Sequence, residues 1–295
     1  MNRAASETMA KSLLSLLTLR EEDDNHFIGS ATPDDHRVGT GRVFGGQVVA
    51  QALLAAETTA PHDRAPGSFH CRFLRPGNVE KPIHYRVARD LDGRSFTHRR
   101  VVADQGDQPI LTCSVMFHAP ERAIAHQPPM PAVPSPDEAR TILEQERDGN
   151  GPHANQARRF LSASRPLEFM PIDIAQWDAT EGRDEPVRGW IRFGTDLPDD
   201  PRIHRAVLGY VSDMTLLRSA DVRHGLSWFR KEVVQASLDH MIWFHDDFRA
   251  DQWMYYETES PWAGHGRALT RGQLFAPDGR LIASTTQEGL ERLLK

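Results

Sequence analysis

Three polar residues in the second half of this 295-residue chain could together activate a water molecule: Asp213, Ser237 and Gln287. A carboxylate can accept a proton, and a hydroxyl and an amide can each donate and accept hydrogen bonds. Such a set could hold one water molecule and take its proton, which is what general-base hydrolysis requires. The residue types therefore predict a hydrolytic site, provided that the fold brings the three side chains together.

Each of these residues also has an ordinary structural interpretation. Asp213 could be an acid at the start of a helix, where the helix dipole stabilises it. Ser237, which we expect to open a strand over 236–245, and Gln287, which we expect to end the final strand, could be exposed strand-end residues. Alternation along that last strand, however, places Gln287 on the same face as Leu281 and Ala283. A glutamine on such a face needs a polar partner.

An internal repeat distinguishes Asp213 from an ordinary acid. Two segments share a glycine, an apolar run with helical period and a closing Leu-Leu pair: residues 42–56 and 205–219. Aligning Gly46 with Gly209, each read as the beginning of a helix, places Ala50 opposite Asp213. An apolar helix that carries a carboxylate in only one copy indicates a duplicated domain in which the second copy keeps the chemistry.

The segments after the two helices repeat as well. Four strand-like segments follow each helix, with turn signals at matching places: 68–76, 83–89, 95–103 and 110–118 in the first copy, and 237–245, 252–259, 266–275 and 281–287 in the second. Each half is therefore predicted to be one helix followed by an antiparallel meander. At the position that matches Gln287, the first copy is expected to have Val115 or a neighbour.

The length is about twice that of a usual domain of roughly 100–150 residues. We expect an N-terminal repeat over 1–120 with a degenerate site, a proline-rich linker over 121–159, and a C-terminal repeat over 160–295 with the catalytic residues. The proline-rich stretch 119–136 favours an extended conformation, either as a free linker or as an ordered strap across the surface. Residues 136–147 have helical composition.

Composition narrows the class of protein. A net charge of −6 with dispersed Lys and Arg makes a nucleic-acid surface a poor expectation. The cysteines, Cys71 and Cys113, match no zinc spacing and no disulfide framework, which fits a reducing cytoplasm. No segment reaches the roughly 20 apolar residues that span a bilayer. The leucines within 13–17 predict an amphipathic N-terminal helix packed on the body of the protein.

Several motifs resemble the acyl-CoA thioesterase II family. They keep their order in both halves and span about residues 13–292: Val43-Phe-Gly-Gly-Gln-Val-Val49, Arg72-Phe-Leu-Arg-Pro76, Ala236-Ser-Leu-Asp-His240, Met241-Ile-Trp-Phe-His245 and Ser284-Thr-Thr-Gln-Glu-Gly289. The resemblance implies an α+β double hotdog fold, in which two tandem helix-plus-meander repeats join in one sheet. It implies hydrolysis of fatty acyl-CoA to fatty acid and coenzyme A without a cofactor or metal, by a protein that forms a homodimer or homotetramer.

The resemblance also implies roles for individual residues. The family's catalytic aspartate and glutamine fall on Asp213 and Gln287, and its hydroxyl residue, usually threonine, falls on Ser237. We expect Asp213 to take the proton of a water that attacks the thioester directly, while Ser237 and Gln287 orient that water. Backbone N–H groups near Gly45 and Gly46, or near Gly209, are candidate donors to the developing oxyanion.

Two other functions stay open at this stage. A hotdog-fold enoyl-CoA hydratase would resemble an Asp with a His five residues later, but position 218 is Arg. A non-catalytic acyl-CoA binding protein would use Asp213 only as a helix cap. Arg99 and the segment 93–95 are candidate contacts for the coenzyme A phosphates. His240 and His245 are expected to face opposite sides of a strand, in packing or surface roles.

Overall fold

The computed structural model describes residues 3–36, 41–163, 165–178, 180–226, 230 and 232–294. The helices are α1 (Arg3–Leu17), α2 (Gly45–Thr58), α3 (Pro136–Asp148), α4 (Ala154–Ser162), α5 (Pro201–Thr215) and α6 (Arg218–Arg223). The strands are β1 (Leu19–Asp23), β2 (His26–Gly29), β3 (Ala65–Phe73), β4 (Ile83–Asp92), β5 (Phe96–Gln105), β6 (Gln108–His118), β7 (Leu167–Pro171), β8 (Val187–Phe193), β9 (Val233–Ser237), β10 (Asp239–Phe244), β11 (Met254–Gly264), β12 (Arg267–Phe275) and β13 (Leu281–Leu293).

The strands form one antiparallel sheet in the order β1-β2-β4-β5-β6-β3-β10-β13-β12-β11-β8-β7, and β9 pairs with β13. Each half has the same internal order, because β2-β4-β5-β6-β3 is matched by β8-β11-β12-β13-β10. The halves join where β3 pairs with β10, at Cys71 opposite His240. An ion pair between Arg72 and Asp239 crosses the same junction. The predicted joining of two helix-plus-meander units in one sheet is confirmed.

The core lies around the two central helices. Every residue of α2 from Gly46 to Glu57 is buried, and α5 is buried over most of its length. The helices approach most closely at Gly46, whereas Gly209 on the facing helix leaves ordinary contact distances. A methyl group added to Gly46 would lie 2.4 Å from the Tyr210 carbonyl oxygen, and one added to Gly209 would lie 3.7 Å from Ala50 Cα. At α1, Leu13, Leu16 and Leu17 are buried as predicted.

The proline-rich stretch is an ordered strap. The Pro134 carbonyl accepts a hydrogen bond from Trp190 Nε1 at 2.8 Å. The Gln127 side chain donates to the Gly279 carbonyl at 2.8 Å and accepts from the Leu281 N–H at 3.0 Å. Helix α3 follows, close to the predicted span, and opens with a reciprocal cap between Ser135 and Glu138. The strap and α3 therefore cover part of the second half rather than hang free.

Several predicted boundaries are wrong. Helix α5 begins at Pro201 rather than near Gly209, because Asp200 caps it and proline fits the first helical position. Ser237 ends β9 instead of opening a strand, and β13 continues past Gln287 to Leu293. The outer strands β1, β2, β7 and β8 and the helices α4 and α6 were not predicted, because their segments are short or carry proline and charge. Within the described ranges, no helix is long and apolar enough to cross a bilayer.

Candidate active site

Asp213 lies in the last turn of α5, not at a helix start. The dipole of its own helix disfavours a carboxylate there. The beginning of α2 instead lies against it, since a methyl group on Gly45 would be 2.6 Å from Asp213 Oδ2. Asp213 is thus placed at the positive end of the helix contributed by the other half. Helix capping by its own chain segment does not explain this residue.

The three predicted residues are in mutual contact. Gln287 Nε2 donates to Asp213 Oδ1 at 2.5 Å and to Ser237 Oγ at 2.7 Å. The Ser237 hydroxyl donates to the same carboxylate oxygen at 3.0 Å. A carboxylate that accepts two side-chain hydrogen bonds on one oxygen keeps the other oxygen, Oδ2, for a further donor. That oxygen faces the N-terminus of α2.

Two paired strands carry Ser237 and Gln287: Ser237 ends β9, and Gln287 lies in β13 beside it. Gln287 is fully buried, and Leu281, Ala283 and Thr285 are buried with it, as the period-two pattern predicts. Ser237 pairs with Gly289 of β13, but Leu238 interrupts the strand and the Asp239 carboxylate accepts the Glu288 N–H at 2.7 Å. This irregularity, like a β-bulge, redirects the side chains that follow it.

Burial decides the charge state of Asp213. It raises the pKa of the carboxyl from 3.8 to about 6, because desolvation disfavours the charged form. Hydrogen bonds from Gln287, Ser237 and the Gly46 backbone act in the opposite direction, since each stabilises the carboxylate. The result is a carboxylate that is ionised at neutral pH and is more basic than a surface aspartate. Those are the properties of a general base.

The first turn of α2 can supply backbone donors. The helix begins at Gly45 after Phe44, and the Phe44 side chain makes no cap hydrogen bond. Backbone N–H groups at such an end point outward and attract negative charge. Gly209, the other sequence candidate, lies in the interior of α5, so its N–H belongs to the helix ladder. The prediction that Gly209 donates to an oxyanion is therefore wrong.

The corresponding place in the first half has a different set of residues. The sequence alignment sets Ala50 opposite Asp213, but the helix bounds do not: Ala50 lies in the interior of α2 and packs against Gly209, and the last turn of α2 instead carries Glu57, which accepts from Arg205. Strand pairing sets Cys71 opposite Cys113, while Met241 pairs with Thr286 and so places His240 opposite Gln287. The counterpart of Gln287 is thus Cys113, two residues before the expected Val115. Both cysteines are buried free thiols.

Two further residues considered from the sequence, Arg99 and His240, are buried. Arg99 is 1% exposed, and its guanidinium donates to Thr59, Asp92 and nearby carbonyl groups. It is therefore not accessible to a coenzyme A phosphate, and that prediction is wrong. His240 and His245 do differ in exposure, as expected, but His240 is fully buried and its Nε2 lies 2.8 Å from Ser212 Oγ. Among the described residues, no group of three His, Cys, Asp or Glu side chains could hold a metal ion.

Comparison with known families gives matches in both halves. Residues 32–118 match the model of the acyl-CoA thioesterase N-terminal domain, and residues 173–290 match the acyl-CoA thioesterase model. Acyl-coenzyme A thioesterase 8 of Homo sapiens is 36% identical, over 95% of this chain and 88% of its own length. Acyl-CoA thioesterase 2 of Haemophilus influenzae is 35% identical, over 95% of this chain and 96% of its own.

Solved structures agree with these matches. Acyl-CoA thioesterase II TesB2 from Mycobacterium marinum is 33% identical, with a TM-score of 0.75 over 95% of this chain and 97% of that protein. A hotdog-fold protein from Alicyclobacillus acidocaldarius, 19% identical with a TM-score of 0.73, shares the fold. The dehydratase domain of PpsC from Mycobacterium tuberculosis is only 12% identical, with a TM-score of 0.54, and its likeness also concerns the fold alone.

Proposed function

Because this chain belongs to the acyl-CoA thioesterase II family and hydrolyses acyl-CoA thioesters, we propose that Asp213, Ser237 and Gln287 are its catalytic residues. The observation that carries this assignment is their closed set of hydrogen bonds around one buried carboxylate. We propose fatty acyl-CoA as the substrate, with free fatty acid and coenzyme A as products.

Water attacks the thioester carbonyl directly in the proposed mechanism. Asp213 takes one proton from the water, whose oxygen forms the new bond to the carbonyl carbon. Ser237 and Gln287 hold the carboxylate and the water in the attacking geometry, which removes an entropic barrier. The tetrahedral intermediate then collapses with cleavage of the carbon–sulfur bond, coenzyme A leaves as the thiolate, and Asp213 releases its proton to the thiolate or to solvent.

The start of α2 stabilises the charge that develops on the carbonyl oxygen. The Gly46 N–H is bonded to the Asp213 carboxylate, which leaves the Gly45 N–H at the helix start as the donor for the oxyanion, and the absence of a side chain at Gly45 lets the helix start approach Asp213 closely. Coenzyme A leaves as a thiolate whose pKa is comparable to the ~8.5 of a free cysteine, so the step needs no strong general acid. Asp213 thus activates the attacking water, and the start of α2 stabilises the oxyanion.

The alternatives have weaker support. A hydratase would need a proton donor near carbon, and Arg218, five residues after Asp213, instead donates from Nη2 to the Gln176 carbonyl at 2.8 Å. A binding protein would not need a buried, basic carboxylate with oriented donors. The site is built for a reacting water rather than for a helix cap.

A double-mutant cycle tests whether the residues act together. Ser237→Ala and Gln287→Ala should each lower kcat for thiol release by roughly tenfold or more, since an orienting hydrogen bond is worth about 1–3 kcal/mol. The double variant should cost less than the sum, because both residues hold one water. Ser237→Thr, which keeps the hydroxyl, is the matched control and should stay within roughly threefold of wild type. Full additivity, or an active Ser237→Ala, would contradict the assignment.

We also propose the organisation that surrounds this site. The division is an N-terminal repeat over 1–120, a strap over 121–159 and a catalytic repeat over 160–295. The two sheet ends, β1 and β7, leave strand edges that another copy of the chain can cover, which supports a homodimer or homotetramer. Two buried free thiols fit a cytoplasmic enzyme of lipid metabolism.

A further inference from the structure

Two buried polar atoms beside each other, one on Gln287 and one on His240, have no other hydrogen-bond partner among the described residues. They are Gln287 Oε1 and His240 Nδ1. The register of β10 and β13 sets these residues directly opposite each other, because Met241 pairs with Thr286. Directly opposed residues on one face have Cβ atoms roughly 4.5–5.5 Å apart, within reach of a side-chain hydrogen bond. A buried acceptor and a buried potential donor thus face each other.

The Gln287 side of the imidazole determines which nitrogen carries the proton. Because Gln287 Nε2 donates to Asp213 and Ser237, its Oε1 is left for His240, and only a protonated Nδ1 can donate to that oxygen. His240 Nε2 is then an acceptor 2.8 Å from the Ser212 hydroxyl, whose single proton otherwise goes to the Gly209 carbonyl at 3.1 Å. Burial lowers the pKa of His240 to about 3, so the ring is neutral throughout the working pH range. This tautomer is the one that satisfies both buried atoms.

We propose that His240 is a positioning residue for the site: its Nδ1–H donates to Gln287 Oε1 and so fixes which end of the amide faces Asp213. With Oε1 held by His240, the amide presents Nε2 to Asp213 Oδ1 and Ser237 Oγ, as observed. A rotated amide would place its carbonyl oxygen against the carboxylate, which is tolerable only when Asp213 is protonated. This inference rests on the proposed function, because it assumes that Asp213 is the base.

The irregularity at Leu238 makes the arrangement possible. In a regular strand, Ser237 and His240 would face opposite sides, since they are three residues apart. The break between β9 and β10 lets both reach Gln287. His240 therefore acts on the water only through the glutamine amide, and it adds no group to the reacting atoms.

Two substitutions at position 240 separate this role from simple packing. His240→Asn places its amide nitrogen near the position of Nδ1 and keeps a donor for Gln287. His240→Gln reaches the position of Nε2, keeps the contact with Ser212 and lacks the donor. The kinetic quantities are kcat, KM and the pH profile of kcat/KM for thiol release from an acyl-CoA, measured on the full chain. His245→Leu, at an exposed residue outside the site, is the control.

The expected result is an asymmetry between the two variants. His240→Gln and His240→Leu should lower kcat by about tenfold or more with KM changed less than roughly threefold, because they affect orientation rather than substrate binding. The acid limb of their kcat/KM profile should move to higher pH by about one unit, because Asp213 loses donors that stabilise its carboxylate form. His240→Asn should lose several-fold less activity than His240→Gln and keep the wild-type acid limb.

Other outcomes would overturn the proposal. Equal losses in His240→Asn and His240→Gln, or an unmoved acid limb in both His240→Gln and His240→Leu, would reduce His240 to a packing residue. If His240→Leu fails to fold, as judged by circular dichroism, the comparison of the two amide variants decides. Activity of Asp213→Asn separates this result from the proposed function. If Asp213→Asn is active, Asp213 is not the base and the proposed function fails. If Asp213→Asn is inactive and the two amide variants at position 240 lose equal activity, only the role of His240 fails.

Discussion

Asp213 combines two properties that an exposed aspartate does not have together. It is ionised at neutral pH, and desolvation leaves it a stronger base than usual, with a pKa of about 6. General bases work best when their pKa lies near the operating pH. Ser237, Gln287 and the amide of Gly46 offset part of the desolvation. The basicity of Asp213 therefore depends on donors that also orient the water.

This charge state sets a pH dependence. Because folding raises the pKa of this acid, kcat/KM should rise tenfold per pH unit below about pH 6 and level above it. Stability has the opposite trend: the folded state binds more protons between the unfolded value of 3.8 and about 6, so the ionised carboxylate costs stability as pH rises through that range. Thiol release from pH 4.5 to 8 checks the first statement. An acid limb near pH 4 would show that an unperturbed carboxyl controls the rate.

At the scale of elements, the site depends on how closely α2 approaches α5. Gly46 packs against the backbone of α5 at Tyr210, whereas Gly209, its counterpart in the repeat, leaves ordinary contact distances around an added methyl group, the shortest being 3.4 Å to Val49. The two glycines, although aligned in the sequence, thus have different places and roles, since Gly46 lies in the first turn of α2 and Gly209 in the interior of α5. One sets the distance between helices beside Asp213, and the other is an interior helix residue.

A matched pair of substitutions tests this difference. Gly46→Ala should lower the free energy of unfolding by roughly 1–3 kcal/mol, because its methyl group meets a backbone carbonyl that cannot move independently. Gly209→Ala should be neutral or stabilise by up to about 1 kcal/mol, since alanine favours a helix interior. Denaturant unfolding measures both. Equal destabilisation would mean that the close approach at Gly46 has no special importance.

The sequence predicts these elements unevenly. The burial of Gln287 and the choice of Asp213 as a candidate residue could be predicted from the sequence, because strand alternation and the internal repeat are both patterns of the sequence itself. The start of α5 was misplaced because Gly209 looked like a helix beginning, although Asp200 and Pro201 are the stronger signals. The break at Leu238 that turns Ser237 and His240 to one side depends on pairing with β13 and has no local signature. Neither does the choice of α2, rather than α5, as the helix whose N-terminus faces the carboxylate.

At the scale of the molecule, duplication left two helix ends of which one has the catalytic groups. The last turn of α5 places Asp213 against the open first turn of α2, whereas the last turn of α2 places Glu57 in an ion pair with Arg205 of α5. Cys113 in place of Gln287 removes the amide as well. Among the described residues of the first half, the carboxylate at this place is therefore held by a guanidinium and has no orienting amide. The contribution of the first half to the reaction is α2 itself, which makes the site a joint product of both halves.

Restoring only the carboxylate should not create a second site. Ala50→Asp introduces a buried acid without a described donor, which should cost on the order of 3 kcal/mol of stability. In an Asp213→Asn background it should give no recovery of thiol release. Thermal unfolding and the acyl-CoA assay measure the two effects. Recovery of turnover by the Ala50→Asp, Asp213→Asn double variant would show that the two halves are chemically equivalent.

The most direct test of the account is the rate of thiol release by Asp213→Asn with a fatty acyl-CoA. The loss of a general base should reduce kcat by at least about a hundredfold. Asparagine is nearly isosteric, and burying it avoids the cost of the buried charge, so stability at pH 7 should change little. Ser237→Thr, prepared in parallel, controls for handling and assay. A folded Asp213→Asn that releases coenzyme A within a few-fold of the wild-type rate would contradict the assignment of Asp213 as the base.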